Sequence, residues 1–198
     1  MTVILALLLI TTTASVSLER LSTALLSAPA WEARFSQTYV PAGLETGSTD
    51  SGTLTIAPPL RLLFEYTGEA SRVFAVDGTT ARLVDRGAAT CDAVALDRGA
   101  WARLPLATLF DPAATRATFV VSSVDGALRL VPREPTPDLA EVVITPSAND
   151  LPERVVVTDR AGNRNEFRLT QWRRIGDPGE GMFRPHLPGA APCLPDER

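Results

Sequence analysis

The sequence contains no lysine: all nineteen of its basic residues are arginine, against 23 acidic residues and a formal net charge of −4 at pH 7. An acidic chain of this kind has no overall positive field, although clustered arginines can still form a local basic face. We therefore do not expect nucleic acid or an anionic membrane surface as its partner. The 198 residues, of which 45% are hydrophobic, are enough for one domain with a sizeable core.

Histidine is almost absent as well. The one histidine, His186, lies in a proline-rich stretch where an exposed side chain is more common than a general base. The sequence has no Gly-x-Ser-x-Gly, His-Glu-x-x-His or Cys-x-x-Cys motif and no glycine-rich phosphate loop. The acids near turns, Asp77, Asp125 and Asp159, are explained by turn formation alone. We therefore predict that the protein is not an enzyme and holds no metal or cofactor; a hydrolase with an unfamiliar site is the remote alternative.

Long apolar runs are also missing, with one short exception near the start. The eight residues from Val3 to Ile10 are all apolar, which is too short a run to span a bilayer. Small residues follow it, and Ser15-Val16-Ser17 is a candidate cleavage site. Although no basic residue precedes the run, we predict an export signal over residues 1–17 and a single domain over residues 18–198. The alternative is a buried N-terminal strand or helix.

The sequence has two cysteines, Cys91 and Cys193. In an oxidising compartment they could join the middle of the chain to its C-terminal tail, and closing so long a loop would contribute roughly 4 to 5 kcal/mol in the chain-entropy model. The alternative is two unpaired cysteines acting as small hydrophobic residues. Because the export signal places the protein outside the cytoplasm, we favour the disulfide.

The stretch from residue 52 to residue 66 predicts two strands separated by a bend. Leu54 and Ile56 alternate with threonines, as in a strand with one buried face. The Pro58-Pro59 pair cannot donate hydrogen bonds to a neighbouring strand, and the apolar residues 60–66 then resume the sheet.

Similar patterns predict strands along most of the chain. Asp77-Gly78 and Asp125-Gly126 are hairpin turns between neighbouring strands. These strands are Trp31 to Val40, Arg72 to Val76, Thr80 to Asp85, Cys91 to Leu96, Thr118 to Val124, Ala127 to Val131, Ala140 to Thr145, Arg154 to Thr158 and Asn165 to Arg173.

Two helices interrupt this pattern. The stretch from Leu18 to Ser27 has apolar residues at helical spacing and is ended by Pro29. A second, short helix opens at Pro105 and is broken at Asp111-Pro112. About ten antiparallel strands with few helices predict a mainly β (α+β) fold: an incomplete antiparallel β-barrel in which the two helices cover an apolar cavity. From about residue 176 a tail rich in proline and glycine is expected to cover the sheet, held by Phe183 and Cys193.

Large apolar side chains are the candidates for lining this cavity, since a ligand pocket is a concave apolar space with few polar groups. The alternative for each of them is a place in an ordinary core. The candidates are Trp31, Phe35, Tyr39, Leu54, Ile56, Leu62, Phe64, Tyr66, Phe74, Trp101, Leu106, Leu109, Phe110 and Phe119.

The order of these motifs resembles the LolA family, the periplasmic carriers of lipoproteins in diderm bacteria. The likeness runs from about Leu18 to Pro195. The motifs that carry it are the N-terminal helix followed by Ala33-Arg34-Phe35-Ser36-Gln37, the Gly52-x-Leu54-x-Ile56-x-x-Pro59 strand ending in Phe64-Glu65-Tyr66, Val76-Asp77-Gly78, Leu128-x-Leu130-x-Pro132, Asp159-x-x-Gly162-Asn163, and the stretch from Phe183 to Pro188.

The resemblance implies an unclosed antiparallel barrel that shelters lipoprotein acyl chains under a helical lid. It also implies a monomer in the periplasm that receives its cargo from an inner-membrane ABC transporter and passes it to an outer-membrane receptor. The lid would be the segment from Leu106 to Phe110, facing Leu62 and Phe64. The sequence departs from the family pattern at Pro58 and Leu63, where the family often has arginines, of which the first is thought to latch the lid. A LolA-like binder or sensor of another lipid, working with a different exporter, is the alternative.

Overall fold

The structure is a computed structural model, and it describes residues 16–68, 71–96, 104–190 and 193–195. Apart from its last two residues, the expected export signal lies outside the described residues, so that expectation stays a prediction. The same holds for Trp101. None of the helices described is long and apolar enough to cross a membrane.

Among the described residues, eleven strands form one antiparallel sheet. Strands β1 to β6 lie side by side in chain order, as do strands β7 to β11, and the two series join where β1 pairs with β11. The described edge strands, β6 and β7, do not pair with each other, so the sheet is an unclosed barrel. The prediction of an incomplete antiparallel barrel is confirmed, with eleven strands in place of about ten. Their bounds are β1 Ala30–Val40, β2 Ser48–Ala57, β3 Arg61–Thr67, β4 Arg72–Val76, β5 Thr80–Asp85, β6 Thr90–Ala95, β7 Phe119–Val124, β8 Ala127–Pro132, β9 Glu141–Pro146, β10 Pro152–Thr158 and β11 Arg164–Ile175.

In the described part of the chain, two α-helices and a 3₁₀ helix lie on one face of the sheet, called the inner face below. Helix α1, Leu18–Leu26, is capped by Ser17, and its buried leucines pack on the sheet. The 3₁₀ helix Pro105–Leu109 is called the lid segment. Helix α2, Pro112–Thr118, follows it.

Two predictions from the sequence are wrong at helix α2. Helical structure does not end at Asp111-Pro112, and no strand begins at Thr118. The Asp111 carboxylate accepts a hydrogen bond from the backbone N–H of Ala114, at 2.9 Å, and so caps a new helix. Pro112 occupies the first turn of this helix, where its missing N–H costs nothing. The Asp-Pro pair is therefore a helix start, and the strand begins one residue later than expected, at Phe119.

The C-terminal tail lies on the opposite, outer face of the sheet. It contains a second 3₁₀ helix, Glu180–Phe183, and the fully buried Phe183 ring packs against Leu63, Val73 and Ala75. Cys91 and Cys193 form a disulfide, which confirms the predicted pairing. The expectation that Phe183 and Cys193 hold the tail on the sheet is also confirmed.

Candidate binding site between the sheet and the lid segment

An apolar hollow of about 190 Å³ lies between the inner face and the lid segment. The sheet contributes residues from four strands, β3, β4, β10 and β11, and the roof is formed by the start of the lid segment with Leu104 before it. The lining residues are Leu62, Phe64, Tyr66, Phe74, Leu104, Pro105, Leu106, Val155, Val157, Asn165 and Phe167.

The structure brings most of the expected cavity residues into a single apolar cluster, the inner cluster. Its expected members fall into two sets. The residues at the hollow are Leu62, Phe64, Tyr66, Phe74 and Leu106. Those packed in the core around it are Trp31, Phe35, Leu54, Ile56, Leu109, Phe110 and Phe119. Tyr39 was expected at the cavity but is 44% exposed and belongs to neither set, because it lies near the end of β1 beyond the packed part of the sheet.

Phe64 is the centre of the aromatic floor. Its ring centroid lies 5.2 Å from that of Phe35, 5.7 Å from that of Phe167 and 6.2 Å from that of Phe74. Such edge-on and tilted contacts add about 0.5 to 1.5 kcal/mol per pair beyond the apolar area they bury. The floor is therefore a packed aromatic surface on which an apolar chain could lie.

Gly52 makes room for this floor. It pairs with Phe35 on one side and Tyr66 on the other, and the Phe35 ring lies over it. A β-carbon at position 52 would overlap the carbonyl of Glu65 and come within 2.7 Å of Phe35 Cε1. Glycine is thus required here by close packing.

The lid segment is held mainly by apolar contacts. Leu106 is 5% exposed and Leu109 is fully buried, and both belong to the inner cluster. Leu106 lines the hollow together with Leu62 and Phe64, as expected. Among the described residues, the hydrogen bonds of the lid segment run within it or to its helical neighbours, and none joins it to a strand.

The two positions where the family often has arginine are Pro58 and Leu63, and neither side chain can donate a hydrogen bond to the lid segment. The nearby arginine is Arg61. Leu63 lies on the outer face, against Phe183. Arg61 lies on the same outer face, where it donates to the carbonyl of Pro58 at 2.9 Å and stacks 5.2 Å from the centroid of Phe183. Within the described part of the chain, no arginine forms a hydrogen bond with the lid segment.

Three polar side chains joined by hydrogen bonds, those of Tyr66, Gln37 and Asn165, border the hollow. They lie where strands β1, β3 and β10 end and strand β11 begins. The Tyr66 hydroxyl donates to Oε1 of Gln37 at 2.6 Å, and Nε2 of Gln37 donates to Oδ1 of Asn165 at 3.1 Å. Burial raises the pKa of the Tyr66 hydroxyl, so this group stays protonated and donating. The Arg72 guanidinium stacks 5.2 Å from the centroid of the Tyr66 ring and pairs with Asp50 at 3.1 Å.

Sequence reasoning missed six residues at the hollow: Leu104, Pro105, Val155, Val157, Asn165 and Phe167. Alternation along β10 and β11 could have indicated which side chains share a face. What it could not show is that β11 pairs with β1, which brings Asn165 and Phe167 beside residues more than a hundred positions earlier in the chain.

A larger crevice, of about 490 Å³, lies between the tail and the turn from β4 to β5. Its walls carry Asp77, Arg82, Arg184 and His186, and both arginines are paired with Asp77. Charged walls do not favour an apolar ligand. The smaller, apolar hollow is therefore the better candidate site.

Comparison with known families identifies the fold. The family model described as outer membrane lipoprotein carrier protein LolA matches residues 27–186. The chain belongs to the LolA family. Comparison with curated protein sequences finds no match.

Solved structures of similar fold share little sequence with the chain. An uncharacterized conserved protein from Thermus thermophilus is 12% identical, with a TM-score of 0.51, over 87% of this chain and 93% of that one. A LolA superfamily protein from Nitrosomonas europaea is 9% identical, with a TM-score of 0.48, over 84% and 94%. A chain of the Pseudomonas aeruginosa MucA/MucB complex is 16% identical, with a TM-score of 0.47, over 85% and 59%. The likeness to the Thermus structure supports the fold and nothing about function.

Proposed function

We propose that the protein is a periplasmic carrier that shelters the acyl chains of lipoproteins and moves them from the inner to the outer membrane. It would receive them from an inner-membrane ABC transporter and deliver them to an outer-membrane receptor. Membership of the LolA family supports a lipoprotein carrier. The observation that carries the proposal is the apolar hollow roofed by a segment with no hydrogen bond to the described strands.

The size of the hollow sets what it can hold in this structure. An apolar cavity of about 150 Å³ takes a benzene ring, so the hollow of about 190 Å³ has room for roughly seven carbons. At about 0.8 kcal/mol per buried methylene, sheltering such a stretch contributes on the order of 5 kcal/mol. A whole acyl chain needs more space, and pockets for larger ligands run to about 300–1,000 Å³.

Movement of the lid segment is the proposed source of this space. Its contacts with the sheet are apolar side-chain contacts, and an entering acyl chain would replace them with contacts of the same kind. Opening therefore costs little once cargo is present, and closing returns the side chains to their own core. The carrier would make and break no covalent bond in its cargo, because Tyr66 and Asn165 are the polar residues among those that line the hollow.

The test uses two matched Val→Glu variants. Val157 lines the hollow, whereas Val120 is 49% exposed on edge strand β7. The measurement is native mass spectrometry of protein purified from the periplasm. The Val157→Glu variant, with a charge at the hollow, should carry no lipid or lipoprotein. The Val120→Glu variant should still carry its cargo. Wild-type protein that carries no cargo and takes up none from detergent-solubilised lipoprotein would count against the proposal.

A further inference from the structure

The polar border of the hollow carries a hydrogen-bond donor, the side-chain amide of Asn165. Asn165 lines the hollow, and its Oδ1 already accepts from Nε2 of Gln37 at 3.1 Å. Gln37 is oriented in turn by the Tyr66 hydroxyl, which donates to its Oε1 at 2.6 Å. With the amides in this orientation, Nδ2 of Asn165 makes no hydrogen bond to another described residue.

The register of the sheet places this donor at one end of the hollow. Asn165 is the second residue of β11, and it pairs with Val157 near the end of β10 and with Tyr39 near the end of β1. Tyr66 lies near the end of β3, whereas Leu62, at the other end of the hollow, lies near its start. At about 3.3 Å per residue, Leu62 and Tyr66 are separated along β3 by on the order of 13 Å.

We propose that the hollow takes an acyl chain whose ester or amide carbonyl accepts a hydrogen bond from Nδ2 of Asn165. This inference rests on the proposed function and names the chemistry that the site recognises. The hydrocarbon lies on the floor around Phe64, and the carbonyl lies at the polar end. A hydrocarbon without a carbonyl gains the apolar contacts but leaves the amide of Asn165 without an acceptor.

The site therefore distinguishes acyl chains from other apolar chains. A carbonyl is a stronger acceptor than an ether oxygen, and one net hydrogen bond is worth up to about a factor of ten in affinity. Binding of the apolar part and recognition of the carbonyl are separate properties of the hollow. They can be measured with two ligands of the same chain length.

The experiment measures displacement of N-phenyl-1-naphthylamine from the purified full chain by methyl octanoate and by methyl octyl ether. Wild-type protein should bind the ester about tenfold more tightly than the ether. In Asn165→Leu the affinity for the ester should fall to that for the ether, and the affinity for the ether should change by less than about twofold. Asn149→Leu, in an exposed turn between β9 and β10, should behave as the wild type.

A second variant protects the test from a folding defect. Asn165→Asp keeps an oxygen for Gln37 but places a carboxylate oxygen where the donor was, so the ester should bind more weakly than the ether. Equal binding of ester and ether by the wild type, or an ester preference that survives in Asn165→Asp, would overturn this inference and leave the carrier function standing. Failure of the wild type to bind either ligand would overturn the carrier function as well.

Discussion

The hydroxyl of Thr115 in helix α2 donates a buried hydrogen bond to the carbonyl of Thr108 in the lid segment, at 2.7 Å. Helix α2 is tied in turn to α1, because Arg116 forms an ion pair with Glu19 at 2.6 Å. The lid segment is thus anchored to the helical layer, and the sheet holds it through side-chain packing alone among the described residues. Pro58 and Leu63 have no side-chain hydrogen-bond donor, so neither contributes a hydrogen bond to the lid segment.

Replacing Thr115 by valine should loosen the lid segment. Valine has the same shape but no hydroxyl, so the carbonyl of Thr108 loses its partner, at a cost of about 1 kcal/mol. We expect faster hydrogen exchange in residues 105–110 and faster release of bound N-phenyl-1-naphthylamine. The control is Thr118→Val on the same helix, whose exposed hydroxyl bonds Ala114 and not the lid segment. Equal effects of the two variants would show that the Thr115 bond does not hold the lid.

Acid should weaken the attachment of the tail through Asp77. Burial alone would raise the pKa of this carboxyl, but hydrogen bonds from Arg82, Thr79 and Thr80 outweigh it and lower the pKa to about 2. Asp77 and Arg82 are 4% and 8% exposed, and Arg82 also donates to the carbonyl of Cys193 in the tail, at 3.0 Å. Because the pKa is lower in the folded protein, the carboxylate stabilises the fold above about pH 4, and this contribution is lost as the pH falls toward 2.

The measurement compares the free energy of unfolding of the wild type and Asp77→Asn between pH 7 and pH 2. The wild type should be more stable by on the order of 1–2 kcal/mol at pH 7, and the difference should vanish near pH 2. Asp125→Asn, in the exposed turn between β7 and β8, is the control and should show no such convergence. A difference that stays constant across this range would mean that the charge of Asp77 is not what stabilises the tail.

Local patterns were sufficient to predict most of the fold. These patterns depend only on residues that are neighbours in the chain. Examples are the alternation around Leu54 and Ile56, the break at Pro58-Pro59 and the Asp77-Gly78 turn, and the strands lie where these signals indicate. The helix after Asp111 was missed because Asp-Pro suits both a turn and a helix start, and the sequence around it does not decide between them.

The candidate site was less predictable, since it depends on pairings between distant parts of the chain. Expected residues such as Phe64 and Leu106 do meet at the hollow, but Asn165 looked like an ordinary polar residue at a strand start. Its position becomes informative only when β1 pairs with β11 and brings Gln37 within hydrogen-bonding distance. The expected ligand contacts of the cavity residues stay a prediction.

Removing the disulfide should destabilise the protein without emptying the hollow. Cys91 and Cys193 are 102 positions apart, and opening a loop of that length costs about 4 to 5 kcal/mol in the chain-entropy model. Because removing a native disulfide typically costs no more than this model value, we expect the Cys91→Ser, Cys193→Ser double variant to lose about 2 to 5 kcal/mol in urea unfolding. Because the tail lies on the outer face, the affinity for N-phenyl-1-naphthylamine should stay within about twofold of the wild type. Loss of probe binding in a folded double variant would contradict this separation of the two faces.

Gly52→Ala should damage both the fold and the hollow. The added methyl group would overlap the carbonyl of Glu65 and press on the Phe35 ring, so β2 and β3 must separate or the ring must move. Overpacking of this kind costs about 1 to 3 kcal/mol, and moving Phe35 also disturbs its contacts with Phe64 and Tyr66. We expect a lower urea midpoint and weaker binding of N-phenyl-1-naphthylamine. The matched control is Gly176→Ala, where an added β-carbon has nothing within 4 Å and both properties should be unchanged. If Gly52→Ala changes the urea midpoint and the probe binding as little as Gly176→Ala does, the aromatic floor does not depend on this close approach.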